Sequence, residues 1–209
     1  MVVVAKGEGM GKKQAERLIV GVSGASGAIL GVRLLQALTE LGVESHLVAS
    51  RAAALTLASE TGLTLADLTA KASVSYRSGE VGAAIASGSF QTRGMIIAPC
   101  SIRTMSEIAT GVTSSLITRA ADVTLKERRL LVLMVRETPL HLGHLRTLVQ
   151  LAEMGAVIAP PVPAFYAGPT DLTTIADQCV GRALDLFGFR WGSVRRWGED
   201  LEAVGEDTS

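Results

Sequence analysis

The sequence is short of most of what a metalloenzyme, a nucleic-acid binder or a membrane protein needs. Aromatic residues make up 4% of its 209 positions, cysteine occurs twice and histidine three times. Twenty basic residues balance twenty acidic ones. Cys100 and Cys179 are too far apart for a metal or redox motif, and His46, His141 and His144 share no motif with a carboxylate ligand. A neutral chain lacks the cationic excess that releases counterions from nucleic acid. No apolar run reaches the ~18–20 residues of a membrane span. The stretch Met1 to Ala5, followed by Lys6, is too short for the apolar core of a signal peptide. These absences leave a cytoplasmic protein with reduced thiols as the expectation.

What the chain does have is apolar residues, at 48%, and glycine, at 22 positions. Much glycine with few aromatics suits α/β turns and close backbone approach to a ligand. The apolar surplus points to buried contacts between subunits. Residues 1–16 read as a flexible polar extension. Residues 17–190 read as one α/β domain, and 191–209 as a C-terminal tail whose start is a candidate lid. Short apolar runs at Arg17–Val22, Ser45–Ala49, Met95–Pro99, Leu130–Val135 and Ala156–Ala159 alternate with helical patterns. The helical segments are marked by Leu30, Leu34 and Leu38, then by Ala52–Ser59, Ser114–Arg128, Leu142–Met154 and Leu172–Phe187, with a further helix starting near Ser101. The stretch from Gly62 to Phe90 is less regular, with one alternating segment at Ala72–Tyr76. The expected fold is a doubly wound, mainly parallel sheet of the Rossmann or flavodoxin-like kind, in a single domain.

Such sheets bind ligands beyond the carboxyl ends of their strands, and the unusual residues gather there. Gly21-Val-Ser-Gly-Ala-Ser-Gly27 follows the first strand but lacks both the dinucleotide Gly-x-Gly-x-x-Gly spacing and the P-loop Gly-Lys-Ser/Thr. It reads either as a tight turn or as an anion-holding loop at a helix start. Ser101, in Pro99-Cys-Ser-Ile-Arg-Thr104, reads as a helix cap or a ligand group. Arg119 and Lys126, seven residues apart, share a helix face, although Arg119 can also pair with Asp122 on a solvated surface. Arg136 and Glu137 end a strand, Tyr166 follows a proline-rich loop, and Arg182 lies in the last helix. Cations near strand ends in a neutral protein suit phosphate. His141 and His144 read as surface or capping residues, Cys100 as a buried thiol rather than a nucleophile, and Trp197 as a packing anchor or an aromatic lid.

Taken together, Gly-Val-Ser-Gly-Ala-Ser-Gly-Ala28, Ser-Gly-Ser-Phe90, Pro-Cys-Ser-Ile-Arg-Thr104, Arg-Ala-Ala-Asp-Val123 with Leu-Lys-Glu-Arg-Arg129, Arg-Glu-Thr-Pro139 and Pro-Ala-Phe-Tyr166 resemble the UbiX-type flavin prenyltransferases, once called aromatic-acid or polyprenylhydroxybenzoate decarboxylases. The resemblance spans residues 17 to 190. It implies transfer of the dimethylallyl group of dimethylallyl phosphate to N5 and C6 of reduced FMN, without a metal. The prenylated FMN then serves a UbiD-type decarboxylase, often in ubiquinone biosynthesis. It implies FMN contacts at Gly24, Ala25, Ser26, Ser50, Ser101, Ile102, Arg103, Thr104 and Arg136. Lys126, Tyr166 and Arg182, with Arg119 close by, would hold the phosphate. Ser26, Glu60, Lys126, Glu137 and Trp197 are the implied catalytic set, and a homo-oligomer, commonly a dodecamer, the implied assembly. The three phosphate donors are expected to converge on one strand-end crevice. The alternatives are a flavin-dependent decarboxylase of the same superfold, which relies on a histidine base and an Asn-containing motif that this chain lacks after its central strand, or a flavin-binding protein without turnover.

Overall fold

Alternating burial along each strand builds two cores, one on either face of the sheet. The computed structural model describes residues 16–200, so the expectations for residues 1–15 and 201–209 lie outside the described residues. Strand β1 (Arg17–Val22) turns Leu18, Val20 and Val22 to one face and Ile19 to the other. Strand β4 (Gly94–Cys100) does the same with Ile96 and Ala98 against Met95 and Ile97, and all seven of its residues are buried. Two-sided burial is what a central parallel strand requires. The other strands are β2 (Glu44–Ala49), β3 (Val74–Tyr76), β5 (Leu130–Val135) and β6 (Ala156–Ile158), in the order β3-β2-β1-β4-β5-β6 and parallel throughout.

Helices α1 (Ala28–Glu40) and α7 (Leu172–Asp185) cover one face, with Leu34, Leu38, Val180 and Leu184 in the shared core. Fully burying one such leucine contributes about 1.5–3 kcal/mol. Arg33 of α1 grips Asp177 of α7 with two guanidinium nitrogens, Nη2 lying 2.7 Å from Oδ2. Helices α4 (Ile102–Ala109) and α5 (Leu116–Lys126) cover the other face through Met105, Ile108, Ile117 and Ala121. Helices α2 (Arg51–Thr61) and α6 (Leu142–Glu153) follow β2 and β5. The irregular stretch also holds a short helix, α3 (Leu65–Thr69), closed by a capping box between Thr64 and Asp67. Five residues carry too little periodicity for that helix to be read from the pattern.

The strand order reverses between β1 and β4, so the loops that follow these two strands diverge and leave a crevice. Ser23 staples its floor. Its hydroxyl donates to Pro99 O at 2.7 Å and accepts from Ser101 N at 2.7 Å. Among the described residues no helix is long and apolar enough to cross a membrane.

Candidate active site

Around that crevice the first loop is shaped by close approach. Gly24 lies so near α2 that a β-carbon there would sit 2.4 Å from Ala52 Cβ, so only glycine fits without moving the helix. Ser50 caps α2 by accepting from Ala53 N at 3.1 Å. Ser101 caps α4, accepting from Thr104 N at 3.3 Å and donating to Thr104 Oγ1 at 3.1 Å. Both serines therefore cap helices and also line a cleft of about 620 Å³, together with Gly24, Arg103, Thr104 and Ser115. That volume lies within the usual range of ligand sites, roughly 300–1,000 Å³. A hollow of about 440 Å³ at the sheet edge, among Leu65, Thr69 and Tyr76, shares only Ser50 with the predicted donors.

Glu60 reaches the crevice from the end of α2. Its Oε2 accepts from Gly27 N at 2.9 Å and from Ala28 N at 2.8 Å, capping α1 from outside that helix. Desolvation pushes its carboxyl up. The Ser26 hydroxyl, the two N–H groups and the charge of Arg136 outweigh this, and the group settles below the ordinary carboxylate range. Glu60, Ser26 and Arg136 thus form one charged cluster over the start of α1. Arg136 is placed by its own backbone, which donates to Cys100 O at 3.1 Å and ties the ends of β4 and β5 together. Glu137 is exposed beside it and accepts from Thr138 N at 3.0 Å. Cys100 is fully buried, and burial pushes its thiol up to about 12. It is no nucleophile at neutral pH.

The expected phosphate donors are arranged differently. Lys126 closes α5, eleven residues beyond the cleft residue Ser115, which at 1.5 Å per residue is roughly 16 Å away. It pairs with Glu127 beside Gly88, near the amino ends of the strands. Arg119 pairs with Asp122 at 2.6 Å. Arg182 stands on α7, across the sheet from α5, where it pairs with Asp185 at 2.7 Å and lines a hollow of about 230 Å³ with Pro160, Val162 and Ala164. Tyr166, on a single 3-10 turn (Phe165–Ala167), meets the edge of Trp197 at 5.7 Å between ring centres. Within one chain these donors do not converge on a single crevice, because α5 and α7 lie in opposite layers. His141 caps α6, accepting from His144 N at 3.3 Å, with the two rings stacked. Among the described residues no cluster of three or more His, Cys, Asp or Glu side chains is placed to hold a metal.

Ser23, Asp185 and Gln178 escaped the sequence reading. Ser23 lies inside the Gly21–Gly27 motif, so its position marks it, whereas nothing local marks the other two.

Comparison with known proteins agrees with the fold. A family model described as Flavoprotein matches residues 7–185. The flavin prenyltransferase UbiX of Escherichia coli (strain K12) is 59% identical over 173 residues, 82% of this chain and 92% of the relative. Among solved structures, AnUbiX (PadA1) in complex with FMN and dimethylallyl pyrophosphate superposes with a TM-score of 0.87 at 45% identity, covering 88% of this chain and 98% of that one. A dodecameric FMN-dependent Ubix-like decarboxylase from Escherichia coli O157:H7 gives 0.85 at 47% identity, covering 87% and 98%.

Proposed function

Since the chain belongs to the UbiX-type flavin prenyltransferases within the flavoprotein family, we propose that it joins the dimethylallyl group of dimethylallyl phosphate to N5 and C6 of reduced FMN. The observation that carries this reading is the cleft at the β1–β4 reversal, together with the Glu60, Ser26 and Arg136 cluster at the start of α1, on the same loop as the cleft residue Gly24. Its residues fit a flavin. Gly24 keeps the wall free of side chain, Ser50, Ser101 and Thr104 offer hydroxyls and helix-start N–H groups, and Arg103 and Arg136 offer positive charge. Ala25, Ser26 and Ile102 complete that set. Reduced FMN, when bound, supplies the nucleophilic N5 and C6.

The rest of the chemistry falls to side chains. Lys126, Arg182, Tyr166 and Arg119 hold the phosphate and offset the charge that builds on it as the allylic C–O bond breaks. Trp197 offers a π-face to the developing allylic cation. Closing the ring at C6 would need a proton delivered to the prenyl alkene carbon next to the one that bonds C6, and the C6 proton removed. Ser26 and Glu60 would relay these protons, with Glu137 next to Arg136 as a further carboxylate. Because Glu60 is held below the ordinary carboxylate range, it is a weak base at neutral pH and carries the proton only in passing. The departing phosphate, whose second pKa lies above the about 6 of a phosphate monoester, is the stronger acceptor.

Lys126 and Arg182 lie in opposite layers with side chains 47% and 61% exposed, so the reading assigns them to a site closed between copies of the chain in a homo-oligomer. The dodecameric relative supports such an assembly. The product goes to a UbiD-type decarboxylase, and the reaction belongs to the cytoplasm. Anaerobic incubation with reduced FMN and dimethylallyl monophosphate, followed by mass analysis of the released flavin, tests the reading. A flavin heavier by one isoprene unit is expected, and unchanged FMN contradicts it.

A further inference from the structure

The segment 191–200 is built onto α1 and α7 by contacts that the proposed chemistry does not use. Trp191 and Val194 are 4% and 5% exposed. Trp191 Nε1 donates to Glu40 Oε2 at 2.6 Å, and Arg33 lies over its ring at 5.6 Å. Val194 occupies the place of a missing side chain, since a β-carbon at Gly181 would lie 1.8 Å from Val194 Cγ2. Gln178, 3% exposed, holds the segment's backbone in both directions. It donates from Nε2 to Arg195 O at 2.6 Å and accepts from Arg195 N at 3.0 Å. The strap therefore has one register on the helix.

Two successive arginines leave this seat for the two aromatic residues of the site. Arg195 Nη1 donates to Ala167 O at 2.8 Å, holding the turn that carries Tyr166. Arg196 grips Asp185 with both nitrogens, Nη1 on Oδ2 and Nη2 on Oδ1, each at 2.7 Å, and the two side chains are only 15% and 16% exposed. The next residue is Trp197, edge-on to Tyr166. From α7 itself Arg182 donates through Nη1 alone to the same Asp185 Oδ2 at 2.7 Å, with 61% of its side chain exposed.

We propose that Asp185 is a positioning residue of the prenyl-phosphate half, fixing Trp197 through Arg196 and aiming Arg182 at the phosphate. One carboxylate faces two guanidinium groups, and Glu199 and Asp200 act on Arg196 as well, so the charge left free for a ligand is that of Arg182. The sheltered, bidentate pair with Arg196 is the stronger contact. The exposed contact to Arg182 uses one N–H and leaves the others for an anion. The inference rests on the roles given above to Arg182 and Trp197.

The test uses Asp185→Asn, which keeps the shape and removes the charge. KM for dimethylallyl monophosphate should rise by about tenfold or more, while FMN affinity stays as in the wild type. Trypsin should cut faster after Arg195 and Arg196. Asp185→Glu should recover part of the loss. Arg196→Gln should raise KM on its own, and the double variant should be no worse than the poorer single one, as for two residues acting as a unit. Equal KM in the wild type and Asp185→Asn, or a parallel loss of FMN binding, overturns the inference and leaves the proposed function standing. No prenylated flavin from the wild type overturns both.

Discussion

The two halves of the candidate site are built by different rules. The proposed flavin half is braced by contacts within one chain. Ser23 staples the ends of β1 and β4 together, Glu60 caps α1, Ser101 caps α4, and Gly24 admits α2 at a distance no other residue allows. The phosphate half is scattered, with Lys126, Arg119 and Arg182 in different places, each half-exposed or nearly so and each held by a neighbouring carboxylate. A large planar flavin, held until it leaves as product, can be met by a rigid, internally satisfied crevice. A small charged substrate can be met by cations that exchange a surface carboxylate for phosphate, because exposed ion pairs are worth only about 0–1 kcal/mol.

The contrast predicts separable failures. The largest belongs to the scattered half. Lys126→Gln or Arg182→Ala should lower single-turnover prenylation by about 100- to 1,000-fold, the usual cost of one donor aimed at transition-state charge, with FMN still bound. Loss of FMN from either variant would blur the two halves. The mirror experiment is Ser23→Ala, which strands the Ser101 N–H and costs about 1–3 kcal/mol in urea unfolding, together with FMN affinity. Ser23→Thr keeps the hydroxyl and should behave as the wild type.

Glu60 sharpens the same point through pH. Its folded carboxyl sits below the unfolded value of about 4.3, so its contribution to stability is present above that pH and is lost as the pH falls through the lowered folded value. Wild type should therefore exceed Glu60→Gln in stability at neutral pH, and their denaturation midpoints should approach one another in acid. A gap independent of pH would show that the charge of Glu60 does not hold the start of α1. The smallest effect is expected at Cys100, whose thiol is pushed up to about 12 by burial. Iodoacetamide should leave it unlabelled in the native protein near pH 8, and prenylation should proceed unchanged.

The flavin half was the more legible in the sequence, because its residues are local. Gly21 to Gly27 and Pro99 to Thr104 each occupy one strand-to-helix turn, and a parallel sheet brings such turns together wherever its order reverses. The phosphate half was legible only by residue type. That Lys126 and Arg182 lie in opposite layers depends on which face each helix covers, which alternation within buried strands cannot settle when both faces are apolar. Asp185 and Gln178 look in the sequence like ordinary polar positions of an amphipathic helix. Their role comes from a segment that folds back ten to twenty residues later, where no short-range pattern reaches.

The central claim is that the flavin half is complete in one chain while the phosphate half is closed between copies. Co-expression of Lys126→Gln and Arg182→Ala chains, each inactive alone, tests it most directly. If the two residues meet across an interface, mixed assemblies contain sites that draw an intact Lys126 from one chain and an intact Arg182 from another. Prenylation should then return, highest at equal mixing and falling toward either parent. Mixed assemblies as inactive as both parents, with FMN bound throughout, would contradict the account.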